Sequence, residues 1–464
     1  MLKRIKIEYV FLIFYIIFTF ILMVYHEPWR DEAQSWLIAR DLSFIDIFRQ
    51  MKYEGHPCLW HLILAPFAKL GFPYRTVNVI SWLFGCLSAL IIVKESSINK
   101  FFLILLFSPI FLYYCSILGR SYSLCLFLVL LLSMIYNKKN DKPVIFNILL
   151  LLISNTHILM AAFVGSVILV DIYELAIKQS RYNRKKRFVG LVISIFGFIL
   201  VFLQLVGCID SNNQVSSSLG SNVIQNFITF IYHLLLNWGA SINLPFIFLF
   251  FFYIRKERKI IFIYLLSILF QVFVCVFIYQ AGDYVFSLFY LVFIFSCIVF
   301  FSNKDKEYKF NNIINIIMAI IFSSMIPLSF LKFSQELKYT YSDSFETAKY
   351  IEDNIDFNDN ILCISDFKCS AIIPYLSKQY KFKDIYNGDY FTYINWGTIR
   401  SSDIDIVSKI IKDDIDYVIH SWGDEKIDSE ILNLKNNDIL NNVYRTNDYV
   451  ITDESYEILK VVKE

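Results

Sequence analysis

Along residues 1 to 331 the chain alternates long apolar runs with short polar ones, and beyond residue 331 the long runs stop. Bilayer hydrocarbon is roughly 30 Å thick and takes about 20 residues of apolar helix to cross. Such runs stand near 9 to 25, 76 to 93, 100 to 117, 122 to 136, 143 to 157, 158 to 175, 188 to 206, 239 to 254, 260 to 279, 284 to 302 and 311 to 331. They predict about eleven transmembrane helices. The first run is longer than a signal-peptide core and has no small-residue cleavage pattern behind it, which predicts a retained helix. From residue 332 the pattern shortens to that of a soluble α/β domain. It predicts a helix over Ser344 to Asn354, a strand at 360 to 365, a segment AIIPYLS, a second strand at 416 to 421 and a closing pair around 443 to 461. The expected architecture is an α-helical polytopic membrane protein, with a transmembrane domain over 1–331 and a soluble α/β domain over 332–464.

Composition agrees with the pattern. Of 464 residues 57% are hydrophobic and only 18% charged, against roughly 25% charged in soluble domains. An ordinary soluble enzyme is excluded. The net charge of +2 conceals two regions: 28 Lys and Arg against 16 Asp and Glu up to residue 331, then 15 against 25. The basic residues form short clusters between apolar runs instead of one basic face, which argues against a nucleic-acid partner. Cytoplasmic loops are enriched in Lys and Arg. Lys3, Arg4 and Lys6, then Lys94 and Lys100, Lys138 to Lys142, Lys178 to Arg187, Arg255 to Lys259, and Lys304 to Lys309 fall in every second loop. This predicts a cell-membrane protein with a cytoplasmic N-terminus and an extracytoplasmic C-terminal domain. The nine cysteines show no CxxC or metal-type spacing.

One outward loop departs from the pattern. Residues 26 to 75 carry six basic and six acidic residues, dense charge for a connector. Ionisable groups kept beside a membrane are functional candidates. The loop opens His26-Glu27-Pro28-Trp29-Arg30-Asp31-Glu32, and the apolar spacing at Trp36, Leu37 and Ala39 predicts a surface helix lying along the membrane. Neighbours on a helix diverge by about 100°, so Asp31 and Glu32 have different roles. Further on, Gly55-His56-Pro57 forms a turn before an apolar helix, which aims His56 back above the membrane. Arg120 stands alone at an outward helix end, with Tyr122 and His157 at the same level. It is the candidate clamp for an anion.

WRDEAQSWLIARDLS followed by YEGHPCLWHLIL resembles the first outward loop of the C-type, polyprenyl-phosphate-dependent glycosyltransferases, close to the protein O-mannosyltransferase and aminoarabinose transferase group. GRSYSLCLFL at 119 to 128, NTHILMAAF at 155 to 163 and the tail segments YSDSFETAKYI and AIIPYLSKQ are similar as well. The resemblance implies an inverting transfer of a sugar from a polyprenyl-phosphate donor lipid to an extracytoplasmic glycan, lipid or protein hydroxyl. It implies Asp31 as the catalytic base, Glu32 as a residue that fixes the loop or the acceptor, and His56 in the family's Gly-His-Pro turn; with Arg30, the residues read above as an anion clamp, Arg120, Tyr122 and His157, are then the candidates for the donor phosphate. Two departures stand out. Cys58 replaces the second proline of the family's Gly-His-Pro-Pro, which implies a looser turn. Ala281-Gly282-Asp283-Tyr284 replaces an Arg-His pair, which leaves Asp283 as the candidate there and puts one cationic phosphate contact in doubt. Richness in Ile, Lys, Asn and Phe suits an AT-rich bacterium and hence undecaprenyl phosphate as carrier.

The chemistry of the residues agrees. Attack by a hydroxyl needs a carboxylate to take its proton and cations to receive the departing phosphate; a phosphate monoester leaves as an anion without the second acid of hydrolytic glycosidases. Each residue also has a plainer reading: Asp31 as a helix cap, Glu32 as a helix-dipole partner, Arg120 as a side chain snorkelling from a span end, and His56 and His157 as hydrogen-bonded turn residues. The competing function is a polytopic transporter or lipid-linked sugar flippase. Such proteins put ionisable groups at the midplane and show paired repeats, and this sequence has neither. No cofactor is called for. A divalent metal is the lesser reading of five outer-face histidines, His26, His56, His61, His157 and His233, of which no two share ligand spacing with a carboxylate.

Overall fold

The computed structural model describes residues 6–96, 99–177, 184–206, 223–237, 240–278, 282–302, 312–396, 405–446 and 450–463. In chain order the helices are α1 (Ile7–Tyr25), α2 (Arg30–Asp41), α3 (Phe44–Glu54), α4 (Leu59–Lys69), α5 (Thr76–Glu95), α6 (Tyr122–Tyr136), α7 (Pro143–Ser154), α8 (Ile158–Ala176), α9 (Arg184–Leu205), α10 (Val223–Tyr232), α11 (Ala240–Tyr253), α12 (Arg258–Phe277), α13 (Phe286–Phe301), α14 (Asn312–Ser324), α15 (Ile326–Lys338), α16 (Ser344–Asn354), α17 (Asp366–Cys369), α18 (Ile406–Lys412) and α19 (Glu425–Asn436). The chain divides into two compact units, one of residues 1–23, 48–60 and 79–333, the other of residues 24–47, 61–78 and 334–464.

The first unit is a bundle of apolar helices. Among the described residues six helical stretches are long and apolar enough to cross a membrane: α1, α5, α8, α9, α12 and Asn312–Lys338; five apolar helices are shorter. This is the build of a membrane-embedded protein. Helix α9 shows why. Its inward face is Arg187, Gly190, Leu191, Ser194, Gly197, Val201 and Gln204, whereas Phe188, Val192, Phe196, Ile199, Phe202 and Leu203 are exposed. Small and polar side chains inside with large apolar ones outside is the arrangement of a helix whose solvent is lipid. A Cβ on Gly197 would stand 2.8 Å from Leu151 Cα, so glycine lets α9 meet α7.

Two expectations change. The run from 100 to 117 is not one regular helix but a 3₁₀ segment, Lys100–Phe107, followed by a π segment, Ile110–Tyr114. Pro109 separates them: it offers no N–H and holds Ser108 extended, with ψ 155°. Conversely, α10 lies inside the stretch 207 to 242, which the sequence pattern reads as an outward loop.

Polar residues gather at two ends of α8. At its C-terminal end, Asp171 and Glu174 accept from Arg187 (2.6 Å to Asp171), Lys139 (2.8 Å to Glu174) and Lys259 (2.7 Å to Glu174). The loop after α6 and the starts of α9 and α12 therefore lie at one level. The other end carries His157. Nineteen residues rise about 28 Å, close to the hydrocarbon thickness.

The second unit is α/β. Its six-stranded sheet has the order β3-β2-β1-β4-β6-β5, from β1 (Ile361–Cys363), β2 (Phe382–Asp384), β3 (Tyr390–Phe391), β4 (Tyr417–His420), β5 (Leu440–Arg445) and β6 (Glu457–Val461). Strands β2, β1 and β4 are parallel, and the other pairings antiparallel. Leu362, Ile364, Ile410, Val418, Ile431 and Leu459 make its core. Helix α2 belongs to this unit and is no surface helix: Glu32 through Ala39 are all buried. Gln34 pairs with both backbone groups of Ile394, at 2.9 and 2.7 Å.

Candidate functional site

In the first unit four segments meet. Gly55, at φ +70°, ends α3 in the left-handed region that glycine enters without strain. The chain then turns through His56-Pro57-Cys58 into α4. Cys58 N–H donates to Gln204 Oε1 at 2.7 Å, Leu59 N–H to the Asn155 carbonyl at 3.2 Å, and Gln204 Nε2 to Asn155 Oδ1 at 2.9 Å. A proline at 58 has no such N–H. The departure from Gly-His-Pro-Pro ties the turn down where a looser one was expected.

This frame sets the imidazoles of His56 and His157 face to face, ring centres 4.3 Å apart and tilted by 30°. His157 caps α8: its Nδ1 accepts from Leu159 N–H at 3.2 Å, so its proton sits on Nε2. That Nε2 is buried and has no hydrogen-bond partner among the described residues. A buried donor of this kind is costly unless something arrives to accept from it. The Tyr122 ring lies 5.7 Å from His157 and 5.8 Å from Tyr284, and the Arg120 guanidinium 6.0 Å from the Tyr284 ring centre. Arg120 is fixed through its backbone neighbours: the Leu118 carbonyl accepts from Ser81 at 2.6 Å and the Gly119 carbonyl from Trp60 Nε1 at 3.2 Å. Burial, helped by the Arg120 charge, holds His56 down at about 3. The cluster is thus one fixed cation among neutral imidazoles and phenols, a set of donors suited to an anion.

In the second unit the acids at the start of α2 part company. Asp31 is half-buried in the first turn, while Glu32 is fully buried. Glu32 accepts from Trp29 N–H at 3.1 Å and Asn78 Nδ2 at 2.7 Å, and pairs with His26 Nε2 at 3.0 Å. His26 Nδ1 meets Glu336 at 2.9 Å. Burial lowers the His26 pKa, but Glu336 and Glu32 outweigh it and raise it to about 10. His26 is therefore an imidazolium donating from both nitrogens. Arg30 pairs with Asp453 and Glu454.

Of the residues singled out in the sequence, Arg120, Tyr122, His56 and His157 come together in the first unit, and Arg30, Asp31 and Glu32 lie together in the second. Asp283 begins a 3₁₀ turn, Asp283–Val285; its side chain lies outside the described residues. Sequence reasoning missed Tyr284, Glu336 and the pair Asp453-Glu454. An acid in the last turns of an apolar helix was the available signal for Glu336, and the short outward loop for Tyr284. No protein-family model matches the chain, and no curated protein matches it.

Proposed function

We propose that the protein is an integral membrane inverting glycosyltransferase that moves a sugar from a polyprenyl-phosphate carrier to an acceptor hydroxyl outside the cytoplasm. The observation that carries this reading is the convergence of His56, Arg120, Tyr122 and His157, from three separate segments, on an arrangement of donors with a buried Nε2–H to spare. The acceptor oxygen attacks the anomeric carbon while Asp31 takes its proton, and the bond to the phosphate oxygen breaks with its electron pair. Within the first unit, Arg120, His157 and the phenols are donors of the kind that stabilise a departing phosphate, where preorganised groups act best.

Two further features support the reading. A small apolar groove of about 110 Å³, lined by Phe14, Phe18, Phe107, Tyr113, Phe330 and Phe333 among others, offers an apolar surface to part of a prenyl chain. Residues 110 to 120 serve both places, giving Leu112 and Tyr113 to the groove and Arg120 to the cluster. The ion network of Lys139, Arg187 and Lys259 marks the end of the bundle where the basic loops gather, which the positive-inside rule puts in the cytoplasm. The His157 end then faces outward.

The test uses purified protein in nanodiscs and a panel of polyprenyl-phosphate sugars, following free polyprenyl phosphate. The wild type releases it from a matching donor, and Arg120→Ala lowers kcat/KM by about 10²- to 10³-fold. No release from any donor, with sugar-lipid crossing a proteoliposome bilayer instead, refutes the transferase and establishes a flippase.

A further inference from the structure

In open parallel sheets, ligands bind in the crevice at the carboxyl ends of the strands where strand order reverses. In the second unit that place lies beyond β1 and β4, whose chain continues into Asp366–Cys369 and Ser421–Gly423. It is filled by the chain's own α2. Arg30 stacks over the Phe367 ring at 5.2 Å and pairs with Asp453, to which Lys368 also reaches at 3.5 Å. Next to Asp453, Glu454 is fully buried and spends its carboxylate on the helix start. Oε1 accepts the Arg30 backbone N–H at 3.0 Å, and Oε2 accepts from Ser342 Oγ at 2.6 Å. The Glu454 carbonyl accepts from Asp343 N–H at 3.1 Å.

The first N–H groups of a helix have no intrahelical partner, and what satisfies them fixes the first turn. Arg30 is the first residue of α2 and Asp31 the second. Trp29, the cap residue, has a side chain without an acceptor oxygen, which makes no cap hydrogen bond to the helix start. Its backbone is held by Glu32 on its N–H and by the Tyr74 hydroxyl on its carbonyl, at 3.3 Å. The Arg30 N–H is held from more than 400 residues away.

We infer that Glu454 is a positioning residue for Asp31: the C-terminal tail caps the helix that carries the base and fixes the direction in which the Asp31 carboxylate points. This rests on the reading of Asp31 as the base, and it gives the tail a role that acceptor binding does not require. An acceptor on the Arg30 N–H satisfies a donor that the helix itself leaves open, so the cap stabilises the turn it orients.

The experiment compares full-length wild type, Glu454→Ala and Glu454→Gln in nanodiscs, reading donor kcat and KM and amide hydrogen exchange over residues 28 to 36. Glu454→Ala speeds exchange at the start of α2 and lowers kcat by about 10- to 100-fold, the cost of a misplaced reacting group, with KM within about twofold. Glu454→Gln keeps an oxygen for the Arg30 N–H and stays within about threefold of wild type. If Glu454→Ala does not accumulate, Glu454→Asp, whose carboxylate is drawn back by one methylene, replaces it in the same comparison. Unchanged exchange and kcat in the shortened variant overturn the inference, as does a Gln variant that falls as far as Ala. A wild type that releases no polyprenyl phosphate removes the role of Asp31 and the catalytic half of the inference, while the exchange result still decides the cap.

Discussion

Burial separates Asp31 from Glu32 although they adjoin in sequence. Glu32 has its carboxylate committed to Trp29, Asn78 and His26, so replacing it acts through the loop. Removing His26 takes the imidazolium from two buried carboxylates, Glu32 and Glu336, and His26→Gln costs about 3 kcal/mol or more, measured as a loss of thermal stability in detergent. The adjacency of an acid pair, read with helical geometry, gives the divergence of the two residues. It does not give the partners, because His26 and Glu336 are 310 positions apart. His56 carries a different prediction. Held near 3 by burial and Arg120, it stays neutral across the working range, so the pH profile of kcat/KM has no inflection from it near 6.5. Profiles of wild type and His56→Gln then share one shape; an inflection lost in the variant would show His56 titrating.

At the scale of elements, α9 links packing to the cluster. The Gly197 carbonyl accepts from Asn155 Nδ2 at 3.1 Å, Gln204 holds the His-Pro-Cys turn, and Gly197 allows the approach to α7. Gly197→Val pushes the two helices apart and loosens His157 and His56 together. It destabilises by about 1 to 3 kcal/mol and lowers donor affinity, whereas Val192→Ile on the lipid face leaves both unchanged; thermal melts and donor titration check the contrast. The apolar periodicity makes most of these helices legible, since a membrane helix is an unbroken apolar run. It fails at 100 to 117, where one Ser-Pro step breaks regular geometry inside a run that is apolar throughout, and at α10, where a polar stretch just before it disguises a short apolar helix. Helix α2 was legible as a helix but not as a buried one. Its Gln34 is held by Ile394 of the tail and its Glu32 by His26 and Asn78, partners that no local pattern records.

On the scale of the whole molecule, titration acts with opposite signs on His26, Glu27 and Glu454 in the second unit and on His56 in the first. In the second, His26 is raised to about 10 by Glu336 and Glu32 against burial, and burial raises Glu27 and Glu454 to about 7. A raised folded pKa gives stability that is full below the unfolded value and lost as pH rises through the folded one. The window is about 4.5 to 7 for the two glutamates and 6.5 to 10 for His26. In the first unit the depressed His56 gives stability present above 6.5 and lost as pH falls towards 3. Hydrogen exchange scanned over pH therefore finds the segment around His26 loosening on the alkaline side and the His56 turn on the acid side; the reverse order contradicts these assignments. The stop in apolar runs near 331 is a local signal, whereas the return of residues 24–47 and 61–78 to the unit of the tail has none, because Arg30 to Glu454 is a contact across nearly the whole chain.

The central claim is that Asp31 takes the acceptor proton as a sugar leaves polyprenyl phosphate. Release of free polyprenyl phosphate from polyprenyl-phosphate sugars, with cell-envelope extract as acceptor, tests it in wild type and Asp31→Asn. The account predicts release by the wild type and a fall of about 100-fold in the variant, the loss that follows removal of a general base. Equal release from both proteins contradicts it.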